Sequence, residues 1–447
     1  MGRKSHSRAL SIWANGERVG TWIIPARGEM ELRYATTWTR SSIGRPLSLS
    51  LPFGIDEAPL KGVRVQNYFD NLLPDAPEIR KRIATRFKTE TDESFELLKA
   101  VGRDCVGAVQ LLGEDDDPGP LRAAEGKPLS DDAIETILQR TLGSEPVTTD
   151  DEDDFRISLA GAQEKTALLR VGNQWFLPHG ATPTTHILKL PIGLIGNKRV
   201  DFHTSVENEW LCLAILNAYG LPVPQAEIMT FGSQKVLCVE RFDRTFSPRN
   251  GALLRLPQED FCQALGIAPH LKYEEKGGPS VRQIADILRH SRNATEDLAT
   301  FMSAHILFWL LAAPDGHAKN FSIRLLAGGR FEMTPLYDVM SIWPVEGDAG
   351  NQWSWHKAKL AMAMCGTSGR HYKIRDIKRS HFNLTAQLCH YGPTAEPLIS
   401  SILERTPEVI EKVSSALPSG FPERVAARIL TGLRDSSARL QAMPMEK

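Results

Sequence analysis

Three side chains in the C-terminal half have the types and spacing that phosphoryl transfer from ATP requires. Asp315 and Asn320 lie five residues apart in APDGHAKNF, and Asp338 follows an apolar and an aromatic residue in PLYDV. A kinase catalytic loop keeps this separation between the carboxylate that orients the acceptor hydroxyl and the amide that binds the metal. Mg²⁺ prefers hard oxygen ligands, several of which the phosphates supply. The pattern predicts Asp315 as the catalytic base and Asn320 with Asp338 as metal ligands.

Each of these residues also has an ordinary structural interpretation. Pro314, Asp315 and Gly316 form a common turn sequence, and Asp338 is a suitable N-cap for a helix. Taken singly, the structural interpretation is at least as good as the functional one. The joint occurrence of both aspartates with Asn320, after a helix apolar enough to be buried, favours a site.

Segments upstream are candidates for binding the nucleotide. SLAGAQEKTALL predicts a strand, a turn from Ala160 to Lys165 whose amides face phosphates, and a second strand; a plain hairpin is the simpler interpretation. Lys189 has the position of the kinase strand lysine, with Glu209 on the next helix as its partner. A solvent-facing strand lysine is the alternative. The charged strand end from Glu240 to Phe242 permits a hinge that binds adenine, and we interpret His317 as packing the loop.

The elements that position these residues combine a sheet with helices. FRISL, KTALLRV and THILKLP predict short antiparallel strands with a turn at Gly172-Asn173, and KVLCVERF predicts another strand. The stretch from Phe301 to Ala313 predicts a buried helix that is too short to cross a bilayer. It belongs to a largely helical remainder.

One helix has clear end signals. It is predicted from Ser205 to Ala218, with Thr204 and Glu207 as a capping box. Gly220 and then Pro222 end it.

The N-terminal part predicts a unit of its own. It has strand-like runs such as PLSLSLPFG, then helical patterns in NYFDNLLPDAPEIRKRIATRF and ESFELLKAVGRD. Two acidic runs follow, Gly113 to Pro120 and Asp150 to Asp154, with a helix at about Asp131 to Leu142 between them. We interpret both runs as loop charge, because adjacent carboxylates repel and seldom converge on a metal. The predicted units are 1–120, an acidic junction at 121–154, a sheet lobe at 155–245 and a helical lobe at 246–447.

The bulk composition is that of a folded globular protein. Hydrophobic residues make up 42% of the 447 residues and charged residues 24%. Because 53 Lys and Arg balance 54 Asp and Glu, the overall charge offers no attraction to nucleic acid or anionic membrane. Six scattered cysteines fit neither a zinc site nor a disulfide framework. No secretory signal is recognised, so we expect a cytoplasmic protein.

Together these segments resemble the HipA family of bacterial toxin kinases over nearly the whole chain. The likeness is carried by PLSLSLPF, YFDNLLPD, GRDCVGAV, DFRISLAGAQEKTALL, TPTTHILKLPIG, VERFDR, LRLPQEDFCQ, DGHAKNFS and PLYDV. The resemblance implies an α+β fold: a divergent two-lobed protein-kinase-like fold with an added N-terminal α/β subdomain and a mostly helical C-terminal lobe. It also implies ATP and Mg²⁺ as cofactors.

The resemblance implies specific roles for residues of this chain. Asp315 would be the catalytic base, and Asn320 and Asp338 would bind metal. Nucleotide would be bound by Ala160, Gly161, Ala162, Gln163, Glu164, Lys165, Lys189, Glu240, Arg241, Phe242, His317, Ala318, Lys319, Asn320, Tyr337 and Asp338. Family members also phosphorylate their own phosphate loop, which points to Ser158. A phosphate there adds about −1.5 to −2 charges and is expected to expel the loop and silence the enzyme.

The resemblance also implies partners. The family's substrate is glutamyl-tRNA synthetase, and a small helix-turn-helix antitoxin, HipB, neutralises the toxin and carries it to operator DNA. In the family a C-terminal helix touches DNA through basic residues, whereas HFNLTAQLCHYG offers Gln387 and His390, with Lys378 and Arg379 close by. Two alternatives remain: a small-molecule or lipid kinase, since DGHAKN also resembles the phosphoinositide-type kinase loop, and a non-catalytic DNA-bound corepressor. No basic amphipathic membrane-binding segment supports a lipid kinase.

Overall fold

The computed structural model describes residues 7–54, 56–119, 124–143, 159–161, 163–196, 199–248 and 251–445. Within these ranges the chain is a mixture of helices and open, mostly antiparallel sheets. The protein has the predicted α+β composition, with a sheet-rich N-terminal half and the longest helices in the C-terminal half.

The N-terminal unit is an antiparallel five-stranded sheet covered by short helices. Its elements are β1 (Arg8–Ala14), β2 (Glu17–Ile24), β3 (Glu31–Tyr34), α1 (Thr36–Thr39), β4 (Leu60–Lys61), α2 (Val63–Asp70), α3 (Pro77–Arg86), α4 (Ser94–Val101) and β5 (Gln110–Gly113). The strand order is β4-β3-β2-β1-β5. Trp22 stacks on Phe69 of α2 at 4.0 Å between ring centroids, so the YFDNLLPD segment is anchored in this core.

A second antiparallel sheet, of six strands, follows. The elements are β6 (Gly126–Leu129), α5 (Asp131–Leu142), β7 (Lys165–Val171), β8 (Gln174–Pro178), β9 (His186–Lys189), β10 (Gly193–Ile195), β11 (Val200–Phe202), α6 (Ser205–Ala218), β12 (Ala226–Phe231) and β13 (Gln234–Glu240). The order is β12-β13-β9-β7-β8-β6. The predicted antiparallel pairing and the bounds of α5 and α6 are confirmed. Within the predicted junction, β6 pairs with β8 and so joins this sheet.

The predicted capping box of α6 is wrong. Thr204 is the N-cap residue, but its side chain makes no capping hydrogen bond. Glu207 is buried, and its carboxylate accepts a hydrogen bond from the Lys235 ammonium of β13 at 2.6 Å. A long-range ion pair therefore replaces the local cap.

The C-terminal half contains more strands than predicted. Its elements are β14 (Arg244–Phe246), β15 (Leu253–Arg255), β16 (Gln258–Asp260), α7 (Phe261–Leu265), α8 (Val281–Leu288), α9 (Ala294–Leu310), β17 (Ser322–Leu325), β18 (Phe331–Met333), β19 (Lys359–Gly366), β20 (Gly369–Lys373), α10 (Arg379–Leu388), α11 (Glu396–Ser415) and α12 (Glu423–Ala442). The three-stranded sheet β16-β17-β18 and the β19-β20 hairpin interrupt the helices. The three-residue strand β16 pairs with β17, a partner distant in the chain, and such pairing is hard to predict from a short run.

The largest core surrounds α9. Every residue of α9 from Phe301 to Leu310 is buried, as the apolar run predicted. None of the helices described is both long and apolar enough to cross a membrane. All six cysteines are free thiols.

The first acidic run is loop charge, as predicted. Its residues Glu114 to Asp117 are exposed, and Asp116 and Asp117 accept hydrogen bonds from nearby backbone N–H groups of the same loop. The run Asp150 to Asp154 lies outside the described residues.

Candidate active site

One large cavity lies between the six-stranded sheet and the C-terminal half. Its volume is about 1090 Å³, slightly above the usual range for ligand sites. Asp315, Asn320, Asp338 and Lys189 all line it. Other predicted residues that line it are Ala160, Gly161, Gln163, Lys165, Glu240, Arg241, Phe242, His317, Lys319 and Tyr337. The three side chains predicted as base and metal ligands thus share one cavity with the strand lysine, which is far from them in the sequence.

Lys189 is buried at the end of β9 and does not face solvent. Its ammonium donates to Glu209 of α6 at 2.6 Å and also to Asp338. Burial alone would lower the pKa of Lys189, but these two carboxylates outweigh it and raise that pKa. A cation is therefore held at the cavity wall, as binding phosphate requires.

Asp338 lies in an irregular segment rather than at the start of a helix. Its backbone has φ of +59°, in the left-handed region that a non-glycine residue seldom adopts. Burial by itself would raise the pKa of Asp338, but the ammonium groups of Lys189 and Lys165 outweigh it and lower that pKa well below the usual range. The carboxylate is ionised and directed into the site.

Asn320 and Asp338 have the oxygen atoms that a magnesium site needs. The Asn320 side-chain nitrogen donates to the Asp315 carbonyl at 2.8 Å, which leaves its Oδ1 as an acceptor. Asp338 receives Lys189 on Oδ1, which leaves Oδ2. No cluster of three or more His, Cys, Asp or Glu suited to a metal occurs in the part of the chain that the structure describes. The residues fit an ion whose remaining ligands are phosphate oxygens and water.

The loop that carries Asp315 follows α9 and packs tightly. A Cβ atom at Gly316 would lie 2.6 Å from the Phe308 ring, so only glycine fits there. His317 is buried, and burial lowers its pKa to about 4. It is therefore neutral near pH 7. Its Nε2 is 3.9 Å from Asp315 Oδ2, too far for a hydrogen bond.

Lys319 in the same loop is bonded to protein oxygens. Its ammonium donates to the backbone oxygen and the side-chain oxygen of Asn71, at 3.0 and 2.8 Å, and to Asp260 at 3.0 Å. It lies 3.7 Å from Asp75. Although Lys319 borders the cavity, its charge is already paired. Its contacts tie the loop to the N-terminal unit. Ala318, another residue predicted to bind nucleotide, is fully buried and does not line the cavity.

The N-terminal unit also contacts the predicted phosphate loop. Gly161 has φ of +112°, forms an isolated parallel bridge with Pro74, and accepts the Asp75 N–H at 3.0 Å. The Glu164 carboxylate pairs with Arg82 of α3 rather than pointing into the cavity. Ala162, Ser158 and most of the predicted strand FRISL lie outside the described residues.

The predicted hinge has one side chain that faces away from the nucleotide. The guanidinium of Arg241 donates to Asp243 at 2.9 Å and to Thr184 at 2.9 Å, inside the protein. Its backbone N–H is used as well, since it donates to the Thr185 carbonyl at 2.8 Å. The Phe242 and Tyr337 rings lie 5.7 Å apart at 34° and both line the cavity, which offers an aromatic surface for a base.

Beneath the hinge lies a buried charge cluster that the sequence did not predict. We call it the arginine cluster; its members are Asp104, Arg241, Asp243, Arg244 and Arg255, all at most 8% exposed. Asp104, in GRDCVGAV of the N-terminal unit, lies within 3.3 Å of all three arginines. The only available signal was charged residues within the otherwise apolar GRDCVG and VERFDR segments.

Four further residues at the site escaped prediction from sequence. They are Asn71, Asp75, Asp260 and Tyr273, which all line the cavity. Asn71 and Asp75 belong to YFDNLLPD, and Asp260 to LRLPQEDFCQ, two segments to which the residue pattern alone assigned no role. Their contribution depends on long-range contacts that spacing along the chain cannot reveal.

Comparison with known proteins gives consistent matches over most of the chain. Residues 10–112 match the family described as the HipA N-terminal domain, and residues 157–417 match the HipA-like C-terminal domain. The "Putative kinase Y4mE" of Sinorhizobium fredii is 35% identical over 338 residues, covering 75% of this chain and 77% of the relative. The "Serine/threonine-protein kinase toxin HipA" of Shewanella oneidensis is 27% identical over 327 residues, covering 70% of each.

A solved structure shares the fold over nearly the full length. It is the complex of Shewanella oneidensis HipA with HipB and operator DNA. The TM-score is 0.76 at 23% identity, with 97% of each chain covered. The arrangement of both sheets and the helical half is therefore that of this solved toxin.

Proposed function

The chain belongs to the HipA family of kinases, and from that membership we propose that it is an ATP-dependent serine/threonine-protein kinase acting as the toxin of a toxin-antitoxin pair. The observation that carries the proposal is the convergence of Lys189, Asp315, Asn320 and Asp338 on one cavity. The buried Lys189–Glu209 pair supports it further, because a protein kinase uses such a pair to hold the phosphates.

Each residue of the proposed site has its own role in phosphoryl transfer. ATP would supply the phosphoryl group. Asn320 and Asp338 would hold Mg²⁺, which would offset the phosphate charge. Lys189 would bind phosphate oxygens, together with the backbone around Gly161. Asp315 orients the acceptor hydroxyl and accepts its proton. General-base catalysis of this kind contributes about 10²- to 10⁴-fold in rate.

We further propose the substrate and partners implied by family membership. The acceptor is glutamyl-tRNA synthetase, whose phosphorylation blocks translation in the cytoplasm and promotes dormancy and persistence. A HipB-like antitoxin binds the toxin and brings it to operator DNA, where the pair represses transcription. The relative of known structure was solved with HipB and operator DNA, which supports this assembly for the present chain.

Direct DNA contact through α10 has little support. Arg379 is buried, and its guanidinium donates to the Glu396 carboxylate at 3.0 Å. It is thus not available to a phosphate. Lys378, Gln387 and His390 are exposed, and a site with Lys378 as its one lysine or arginine binds anions weakly. We therefore expect the chain to reach DNA mainly through the antitoxin.

Radiolabelled ATP tests the proposal against its alternatives. The purified chain is incubated with [γ-³²P]ATP and Mg²⁺, alone, with glutamyl-tRNA synthetase, and with a cell extract. Label in glutamyl-tRNA synthetase is expected. Label only in extracted lipid or metabolite would indicate a small-molecule kinase, and no transfer would leave the non-catalytic corepressor.

Self-inactivation at Ser158 is a separate part of the proposal. The residue itself lies outside the described ranges, but Leu159, Ala160 and Gly161, which follow it, line the cavity. Phosphopeptide mapping after incubation with ATP is expected to find phosphate on Ser158 and a matching loss of activity. A kinase that labels its substrate but never Ser158 would refute this model.

A further inference from the structure

Tyr273 contacts the carboxylate that the proposed mechanism uses as base. It lies between α7 and α8, and its hydroxyl is 2.5 Å from Oδ1 of Asp315. Burial, and next the negative charge of Asp315, raises the pKa of Tyr273 well above its ordinary value. The phenol therefore keeps its proton and is the donor in this hydrogen bond.

The tyrosine is held firmly by its own segment. Its backbone carbonyl accepts the N–H groups of Lys276 and Gly278, each at 3.0 Å. A Cβ atom at Gly278 would lie 1.9 Å from the Leu271 carbonyl oxygen, so this turn closes tightly. The Tyr273 ring also meets the buried His317 ring edge-on, with centroids 5.1 Å apart. These contacts hold the Tyr273 hydroxyl in one position.

The Asp315 carboxylate has few other constraints. Its side chain is 47% exposed, and rotation about χ2 of an aspartate is soft. Asn320 holds the Asp315 backbone carbonyl and not the carboxylate. Lys319, the cation of the loop, is paired with Asn71 and Asp260 instead. Among the residues that the structure describes, the bond from Tyr273 is the one hydrogen bond to this carboxylate.

We propose that Tyr273 is a positioning residue for phosphoryl transfer, whose hydroxyl holds Oδ1 of Asp315 so that Oδ2 faces the acceptor hydroxyl. The inference rests on the proposed kinase function. The alternative is that the phenol occupies the place of the acceptor and must leave. The tightly held backbone and the unoccupied Oδ2 favour positioning, since an acceptor can approach without displacing the ring.

The proposal predicts a specific kinetic change. Tyr273→Phe removes a hydrogen bond to a charged group. Because that bond orients the base in the transition state, its loss should lower kcat about tenfold to hundredfold. KM for ATP should stay within about twofold, because Tyr273 acts on the base and not on the phosphates. A merely structural role would instead lower stability and change both constants.

The test is Tyr273→Phe, which removes one oxygen atom and keeps the ring. Rates of ³²P transfer from ATP to glutamyl-tRNA synthetase and to the chain itself are measured, together with thermal unfolding. The matched control is Tyr219→Phe, which removes a buried hydroxyl bonded to Thr406 at 2.7 Å, outside the cavity. The expected result is a lower kcat for Tyr273→Phe only, with a thermal midpoint no lower than that of Tyr219→Phe.

Coupling to Asp315 provides a second measurement. If Tyr273 acts through the carboxylate, adding Tyr273→Phe to Asp315→Asn changes the residual single-turnover rate less than about twofold. A rate for Tyr273→Phe equal to or above wild type overturns the inference, as does a full additional loss in the Asp315→Asn background. A wild-type chain that transfers no label overturns the kinase function itself, which separates the two failures.

Discussion

The ammonium of Lys319, in the loop that carries Asp315, lies 3.0 Å from the carboxylate of Asp260 at the end of β16. Both side chains are buried, and Lys319 also donates to Asn71 of the N-terminal unit. One cation thus joins the Asp315 loop, the three-stranded sheet and the N-terminal unit. Asp260 caps α7 as well, accepting the Gln263 N–H at 2.8 Å, which gives the LRLPQEDFCQ segment a structural role.

Replacing Asp260 should therefore weaken both the fold and the activity. Asp260→Asn keeps the shape and the cap but removes the carboxylate nearest to Lys319, which then has only Asp75 at 3.7 Å as an acidic partner. Removing one member of a buried ion pair costs at most about 3–5 kcal/mol, and the loop holding Asp315 should move with it. Urea unfolding and ³²P transfer measure the two effects. Asp286→Asn, on an exposed position of α8, should change neither, and equal unfolding curves for the two variants would contradict this role.

The base itself can be tested by an isosteric change. Asp315→Asn removes the proton acceptor and retains the loop, because Asn320 bonds the backbone carbonyl of residue 315 and not its side chain. Transfer to protein should fall at least about a hundredfold. The half-exposed side chain should leave the unfolding free energy within about 1 kcal/mol of wild type. Normal activity in a correctly folded variant would remove Asp315 from the mechanism.

The arginine cluster should be a major source of stability. Burial alone would raise the pKa of Asp104, but Arg244, Arg255 and Arg241 outweigh it and lower that pKa well below its usual range. Asp104→Asn leaves three buried guanidinium groups with one remaining carboxylate. We expect a loss of about 3–5 kcal/mol in the free energy of unfolding.

An exposed ion pair gives the control for that measurement. Arg40 and Glu57 are 76% and 51% exposed and lie 3.4 Å apart, so Glu57→Gln should cost less than about 1 kcal/mol. Chemical denaturation measures the free energy of unfolding of both the Asp104→Asn and the Glu57→Gln variants. Similar losses in the free energy of unfolding would show that the buried arginine cluster stabilises the fold no more than an exposed ion pair does.

Glu259 should make stability depend on pH. It is fully buried next to Asp260; one carboxylate oxygen accepts the Leu49 N–H at 2.9 Å, and the other has no partner in the described structure. Burial raises the pKa of Glu259 from 4.5 to about 8. Between these values the unfolded chain has lost a proton that the folded chain retains, so stability falls as pH rises, by up to about 1.4 kcal/mol per unit.

Glu259→Gln should abolish this contribution. The variant's stability relative to wild type should increase steadily from about pH 5 to pH 8 and then level off. Urea unfolding of both proteins at several pH values measures this difference in stability. The contributions of the other titrating groups are the same in both proteins and cancel. A difference that does not change with pH would show that Glu259 ionises normally in the fold.

Much of the local structure could be predicted from the chain. The helix α5 has an amphipathic pattern, α6 has clear end signals, and α9 is a continuous apolar run. The sheet around Lys189 has short runs separated by turn residues, and all of these are local signals. The spacing of Asp315 and Asn320 predicted one loop that carries both the catalytic base and a metal ligand. The capping box at Thr204 failed because Glu207 found Lys235, a partner on another strand.

The contribution of the N-terminal unit could not be predicted in this way. Asn71 and Lys319 are 248 residues apart in the chain and bonded in the fold, and no periodicity relates such residues. Charged side chains are mostly exposed in folded proteins, so nothing in the sequence indicates that those of the arginine cluster are buried.

The sequence by itself determined the kind of chemistry, because residue types and loop spacing are encoded locally, and its resemblance to a known family determined the expected fold. Only the tertiary structure decided which groups complete the site. It directs the charge of Lys319 to Asp260, turns the Arg241 side chain inward, and places the Tyr273 hydroxyl on Asp315. The physical reason is that a buried charge must find a partner, and that partner is set by packing between distant segments.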